Sequence, residues 1–401
     1  MAWGKQTGET VMAFDGIVIS NVVRDMKENL IDGRIYKIYQ PEKDELNLVI
    51  KNNRENYRLL MSADASLPLI YMQQSSKENP MTAPNFCMLL RKHISNGRIV
   101  DVYQPGFERI VVVVIEHLDE LGDLRRKKLI IEIMGKHSNI IFATEDDMII
   151  DSIKHISAQV SSIREVLPGR DYFIPHSGEK KDPLTITETE FKELLHNTPQ
   201  NLSKALYMDL TGLSPVVAAE ICHLASLDGD ISAKEFSDAE LTHLFHAFNW
   251  IMDDIREGNF TPNIIYEGEK PIEFAAVPLT MMEGGNYRTV KFDSISELLE
   301  RYYAEKNTVS RIHQKSTDLR KIISNALERS VRKLDLQTKQ LKDTEKREKY
   351  RIYGELLNTY GYGLSGGEKS FKCLNYYDNT EITIPMDPTM TALENAKRYF
   401  D

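Results

Sequence analysis

Gly33-Arg34-Ile35-Tyr36-Lys37-Ile38-Tyr39-Gln40-Pro41 and Gly97-Arg98-Ile99-Val100-Asp101-Val102-Tyr103-Gln104-Pro105 align without a gap, sharing the glycine, arginine, isoleucine, tyrosine and Gln-Pro ending. Each copy follows an amphipathic helical stretch, residues 17–30 and 86–94, and Gly33 and Gly97 are expected to stop those helices by taking the left-handed conformation. Two alternating, β-branched segments follow each Gln-Pro turn: 46–51 and 57–62 in the first copy, 110–117 and 128–134 in the second. A repeat of this kind predicts two similar α+β halves packed as one sheet-rich domain, residues 1–175. Duplication speaks to fold and not to function.

Outward from the repeat, Pro168, Gly169, Pro175 and the charged stretch 177–182 read as a linker. Residues 183–258 are helical in pattern, with Thr185 and Thr187 as candidate caps. Within them, Leu210-Thr211-Gly212-Leu213-Ser214-Pro215-Val216 opens a segment that reads as helix-hairpin-helix, a glycine turn able to offer N–H groups to a phosphate. The plainer reading, a hairpin that only packs, is favoured by the lack of Lys or Arg in the turn. Short strands around Glu283-Gly284-Gly285-Asn286 are expected to return to the first sheet, which makes 263–293 part of it. From residue 294 a helix should run to about 353, with Ile312, Leu319, Ile323, Ala326, Leu334 and Leu341 forming a heptad seam. Residues 294–401 thus read as an antiparallel coiled-coil arm with a compact tip at 354–385. The sequence stops inside a new helix, 390–400, so the arm is expected to be truncated. Gly363-Leu364-Ser365-Gly366-Gly367-Glu368-Lys369 lacks the spacing of a phosphate loop.

The 401 residues are 41% apolar and 27% charged, ample for two or three domains. No apolar run reaches the roughly 20 residues of a membrane span, and residues 1–16 lack the pattern of a signal peptide, which points to the cytoplasm. Cys87, Cys222 and Cys373 stand far apart without CxxC spacing, so neither disulfides nor a metal site are expected, and no cofactor is implied. The net charge is −10, yet residues 306–351 hold fourteen Lys/Arg against six Asp/Glu. This basic arm on an acidic body suits local contacts to a phosphate backbone better than indiscriminate coating.

Three phrases then carry a resemblance: Ala13-Phe14-Asp15-Gly16; Glu78-Asn79-Pro80 with Pro84-Asn85-Phe86-Cys87-Met88-Leu89-Leu90-Arg91-Lys92-His93-Ile94; and Glu132-Ile133-Met134-Gly135-Lys136-His137-Ser138-Asn139. In this order they resemble the NFACT family, also called fibronectin-binding protein A-like, and within it the bacterial ribosome quality-control members. The resemblance covers essentially the whole chain. It implies an NFACT-N domain distantly similar in fold to formamidopyrimidine-DNA glycosylases, a helix-hairpin-helix domain and a coiled coil, with the C-terminal NFACT-R domain missing. It also implies a factor that is not an enzyme: one that binds a large ribosomal subunit holding peptidyl-tRNA and recruits alanyl-tRNA, so that alanine extends the nascent chain while the subunit supplies the chemistry.

Residues the family needs for tRNA recruitment match Asp15 and an Asp-Arg pair that reads Glu108-Arg109 here; glutamate keeps the charge on a longer arm, which can re-aim a contact held to about an ångström while one through water survives. An arginine at this point can bind phosphate or stack on a base, and the carboxylates can accept from ribose hydroxyls or base amines. The plain alternative is a salt bridge within the turn. Further candidate RNA contacts are Arg91, Lys92 and His93, which equally suit solvated helix capping, and Lys136, His137, Ser138 and Asn139, which equally suit a polar turn. On the arm, Arg320, Lys321, Arg329, Arg332 and Lys333 are candidates for ribosomal contact or for a merely solvated face. Two other functions compete. One is a glycosylase, which would need an N-terminal proline and glutamate where this chain reads Met1-Ala2-Trp3, or Met12-Ala13-Phe14 if the first eleven residues are an upstream start or tag. The other is a fibronectin-binding adhesin, for which no export signal speaks.

Overall fold

The computed structural model describes residues 14–74, 77–119, 121–161, 164–174 and 180–401, with the side chains of 305–319 outside the description. Ala13, Pro175, residues 177–179 and the seam side chains of Ile312 and Leu319 therefore lie outside the described residues.

The first copy of the repeat comprises α1 (Gly16–Leu30), β1 (Arg34–Glu42), β2 (Glu45–Asn52), β3 (Glu55–Ser62) and β4 (Leu69–Met72). The second comprises α2 (Asn85–Ile94), β5 (Arg98–Tyr103), β6 (Ile110–Leu118), β7 (Leu124–Glu132), β8 (Asn139–Thr144) and β9 (Ile149–Ser152). Among the described residues they form one nine-stranded antiparallel sheet, β4-β3-β2-β1-β5-β6-β7-β8-β9. The repeated strands meet at its centre, where Ile35 N donates to Gly97 O and Ile99 N to Gly33 O, both at 2.9 Å. Both copies carry a register shift one residue later, between Ile35 and Lys37 and between Ile99 and Asp101. An exchange of equal bonds between like residues is what an internal pseudo-twofold requires.

The glycines act differently from expectation. The left-handed residues are Asp32 (φ 66°) and Asn96 (φ 61°), one position earlier, where short polar side chains tolerate that region. Gly33 and Gly97 are needed for space instead. A Cβ on either would lie 2.7 Å from Cγ2 of Ile50 or Ile115, and 2.8 or 3.0 Å from the carbonyl of Leu30 or Ile94.

α1 and α2 cover one face of the sheet. On the other face of the second half, Ile110, Val112, Ile130, Ile141, Ala143 and Ile149 form a smaller core closed by Val166. The strand period of two sends neighbours such as Val111 and Val113 to the main core.

The helical segment contains α3 (Glu188–Asn197), α4 (Leu202–Asp209), α5 (Pro215–Leu224) and α6 (Asp238–Glu257). Thr187 caps α3 in a capping box. Ser214 caps α5 with Pro215 at its first turn, where the missing N–H costs nothing. Next come β10 (Asn263–Glu267), β11 (Lys270–Ala275) and β12 (Tyr287–Lys291). These do not return to the first sheet. They form a separate three-stranded sheet, β11-β10-β12, because the tight turn after Glu267 closes a local hairpin at far lower entropic cost than a long-range return. One continuous core nevertheless runs from Phe14 through the helices and this sheet to Tyr303, across the borders expected at 175, 258 and 293. The first compact unit ends at Thr308.

α7 (Ile295–Tyr360) is a single helix of 66 residues, seven residues longer than expected at its C-terminal end. Its first turns are buried in the first unit through Leu298, Leu299 and Tyr302. Asp25 Oδ2 accepts from Ser296 Oγ (2.6 Å) and Ser294 Oγ (3.2 Å) at its start. In the second unit α7 is followed by β13 (Ser370–Asn375) and β14 (Thr380–Pro385), a hairpin at the expected tip, and by α8 (Ala392–Phe400). Tyr353, Leu356 and Leu357 of α7 share a small core with Ile384, Met386 and Ala396. α8 runs antiparallel to the end of α7, since Gly361 lies against Ala392 and Gly354 against the Phe400 ring. The described residues place no helix against Ile323, Leu334 and Leu341, which are all more than 60% exposed.

Candidate nucleic-acid interface

Three segments distant in sequence converge at the N-terminus of α1. Asp15 is its N-cap: Oδ1 accepts from Ile17 N (3.1 Å) and Val18 N (2.9 Å), satisfying two donors that the first turn leaves open. Oδ2 accepts from Ser214 Oγ at 2.6 Å, the residue that caps α5. Gly16 N donates to Gly212 O at 2.7 Å. Gly212 has φ +72°, and a Cβ there would lie 2.7 Å from Phe107 Cδ1 and strike the Phe107 carbonyl. Only glycine fits that approach. The third segment is the turn after the second Gln-Pro, with Gly106 (φ 53°) and Phe107 (φ 64°) both left-handed. Gln104 of the repeat closes it, donating from Nε2 to Glu108 O (2.8 Å) and Gly16 O (3.0 Å).

The sequence candidates Asp15, Glu108 and Arg109 are thus brought together. Asp15 is 5% exposed and both of its oxygens are engaged. Burial raises its carboxyl to about 6, against the opposing pull of Ser214, the two amides and Arg109. Arg109 is half-buried at the junction. Burial lowers its guanidinium, with Glu108 and Asp15 pulling the other way. Among the described residues the guanidinium forms no hydrogen bond or ion pair, whereas desolvated arginines are ordinarily paired.

Lys180 completes the cluster. Its Nζ donates to Tyr207 O at 3.1 Å, and its ammonium is lowered by burial first and by Arg109 second, against Glu108 and Asp209. Burial disfavours both cations and Glu108 offsets part of that for each, an arrangement able to accept a further anion. Ser214 and Gly212 belong to the segment read as helix-hairpin-helix, and Gln104 to the repeat, so the sequence held a signal for each. For Lys180, in a charged linker, it held none.

The other candidates divide. Arg91 is spent on the fold: its Nε and Nη2 donate to Ile38 O of β1 at 2.9 and 2.7 Å. His93 Nδ1 lies 3.0 Å from Lys127 Nζ, and Lys92 is exposed. Ser138 Oγ accepts from Met134 N, and Asn139 holds Lys154 through both its N–H and its carbonyl. Both residues are buried. Lys136 and His137 are exposed beside them. Arg320, Lys321, Arg329, Arg332 and Lys333 are exposed along α7, with Arg332 3.8 Å from Glu328. Asp15, Ser138 and Asn139 are therefore supports of their turns, while Arg109, Lys180, Lys136 and His137 present donors.

The class that the fold defines is an α+β protein with an internally duplicated antiparallel sheet, clamped to a helical element around a desolvated arginine. The chain belongs to the NFACT family, whose profile for the NFACT N-terminal and middle domains matches residues 15–401. It is 36% identical over 392 residues to the Rqc2 homolog RqcH of Bacillus subtilis (strain 168), covering 97% of this chain and 66% of that relative. It is 26% identical over 354 residues to the archaeal Rqc2 homolog aRqcH of Methanocaldococcus jannaschii, covering 84% of this chain and 50% of the relative. The crystal structure of the fibrinogen binding protein from Staphylococcus aureus is similar at TM-score 0.61 and 30% identity, covering 73% of this chain and 99% of that one. The chain thus spans less than two thirds of the length of these Rqc2 homologs.

Proposed function

We propose that this protein is a ribosome-associated quality-control factor of the cytoplasm, a binder of RNA and not a catalyst. In this reading it engages a large ribosomal subunit that still holds peptidyl-tRNA and recruits alanyl-tRNA, and the subunit adds alanine to the nascent chain. The observation that carries it is the desolvated Arg109 beside Lys180, its guanidinium without a hydrogen bond or ion pair among the described residues, a place suited to a phosphate.

Arg109 and Lys180 take the phosphate, Glu108 accepts from a ribose hydroxyl or a base amine, and Asp15 with Ser214 sets the turn that aims them. The α4-turn-α5 element is read as a helix-hairpin-helix that buttresses this turn, and α7 as one strand of a coiled-coil arm whose basic side meets ribosomal RNA. The RqcH relatives support the family assignment, and no described helix is long and apolar enough to cross a membrane.

The test is co-sedimentation of the purified protein with large subunits at low salt. Binding to subunits that bear peptidyl-tRNA and not to empty ones is the expected result. Failure to bind with the peptidyl-tRNA verified in place would end the proposal.

A further inference from the structure

We propose that the hairpin end of the second unit is a docking surface for a basic, Arg/Lys-rich segment of a protein partner. Aromatic side chains gather there: the Tyr360 and Tyr376 rings lie 6.4 Å apart, and Tyr376 and Tyr377 4.6 Å apart. Tyr362 is 88% exposed. Leu374, also exposed, pairs across the hairpin with Glu381. Exposed tyrosines grouped in this way are the composition of interface anchors, not of a solvated loop.

The surface already holds one cation of its own. The Arg351 guanidinium sits over the Tyr377 ring at 5.7 Å and pairs with Glu355 at 3.2 Å. Glu355 in turn accepts from the hydroxyls of Tyr377 and Tyr376. An aromatic face backed by carboxylates is the chemistry that selects guanidinium and ammonium groups.

Charge decides the kind of partner. Residues 351–401, Arg351 included, carry seven Asp/Glu and five Lys/Arg, whereas residues 306–350 carry six and thirteen. A phosphate backbone is drawn to the shaft of α7 and repelled from its tip. A basic protein segment finds the reverse.

The experiment uses the whole chain and a fluorescent twelve-residue Arg-Gly alternating peptide carrying one photocrosslinking residue, with a Glu-Gly peptide and a twelve-nucleotide single-stranded RNA as comparisons. Anisotropy should give binding of the basic peptide that weakens about fivefold in Tyr362→Ala and in Glu381→Lys, with crosslinks within residues 350–385. Neither position contributes to the tip's core, so unchanged thermal midpoints are expected. Equal affinity in both variants, crosslinks confined to the first unit, or tip protection by the RNA would overturn the proposal.

Discussion

Asparagine at position 15 separates the charge of that side chain from its hydrogen bonds. The Asp15 carboxyl stands at about 6 in the folded protein against 3.8 unperturbed, a difference of about two units, so keeping it ionised at pH 7.5 costs about 3 kcal/mol of folding stability. Its folded value lies above its unfolded one. The native state therefore binds the proton more tightly, and stability falls as pH rises between about 4 and 6, with the full penalty present above. Asparagine keeps Oδ1 for the amides of Ile17 and Val18 and turns a donor toward Ser214 Oγ, which is 2.6 Å from the carboxylate. Asp15→Asn should then melt at or above the wild-type midpoint at pH 7.5, by up to about 6 °C at roughly 2 °C per kcal/mol. That advantage should shrink steadily toward pH 5. Scanning calorimetry across pH 5 to 8 reads both. A variant that melts lower at pH 7.5 and follows the wild-type pH dependence would refute the reasoning and mean that the Asp15 charge is needed to hold Arg109.

Gly212→Ala should lower the urea midpoint, by an amount equal to at least about 2 kcal/mol, because the added Cβ meets Phe107 at a left-handed φ. Arg164→Ala leaves Glu132 buried, since Arg164 Nη2 and Tyr172 (3.0 Å) are its partners; about 3–5 kcal/mol should be lost in the same assay, against much less for Tyr172→Phe. Lys180→Ala should weaken tRNA binding and reduce the slope of log affinity against log salt by about one, as measured by filter binding from 50 to 200 mM salt.

Much of the first unit is legible in its residues alone. The Gly-Arg-Ile repeat marks two helix-strand halves, and β1 and β5 pair at the centre of the sheet as equals. The strands after residue 263 are misplaced by pattern because the alternation of a strand records its exposure and not its partner, and a local hairpin competes with every long-range pairing. The role of Gly33 and Gly97 is misread for a related reason: a glycine after a helix marks either a left-handed turn or a crowded one, and the crowding by Ile50 and Ile115 comes from strands remote in sequence. At the site, Asp15 stands out through its phrase and Glu108-Arg109 through the family's Asp-Arg pair, and their convergence at one junction is not readable from spacing. Lys180 is hidden because what matters is its distance from Arg109, and that is set by the packing of α4 and α5 against the sheet.

The most direct measurement is sequencing of RNA crosslinked in cells to the wild-type protein and to Arg109→Ala, with Asp15→Asn alongside. The expected result is alanine tRNA and large-subunit RNA on the wild type and Asp15→Asn, and loss of at least about tenfold of the tRNA on Arg109→Ala with the large-subunit RNA retained. Equal tRNA recovery by wild type and Arg109→Ala would contradict the assignment of the site, and the absence of both RNAs from the wild type would contradict the function itself.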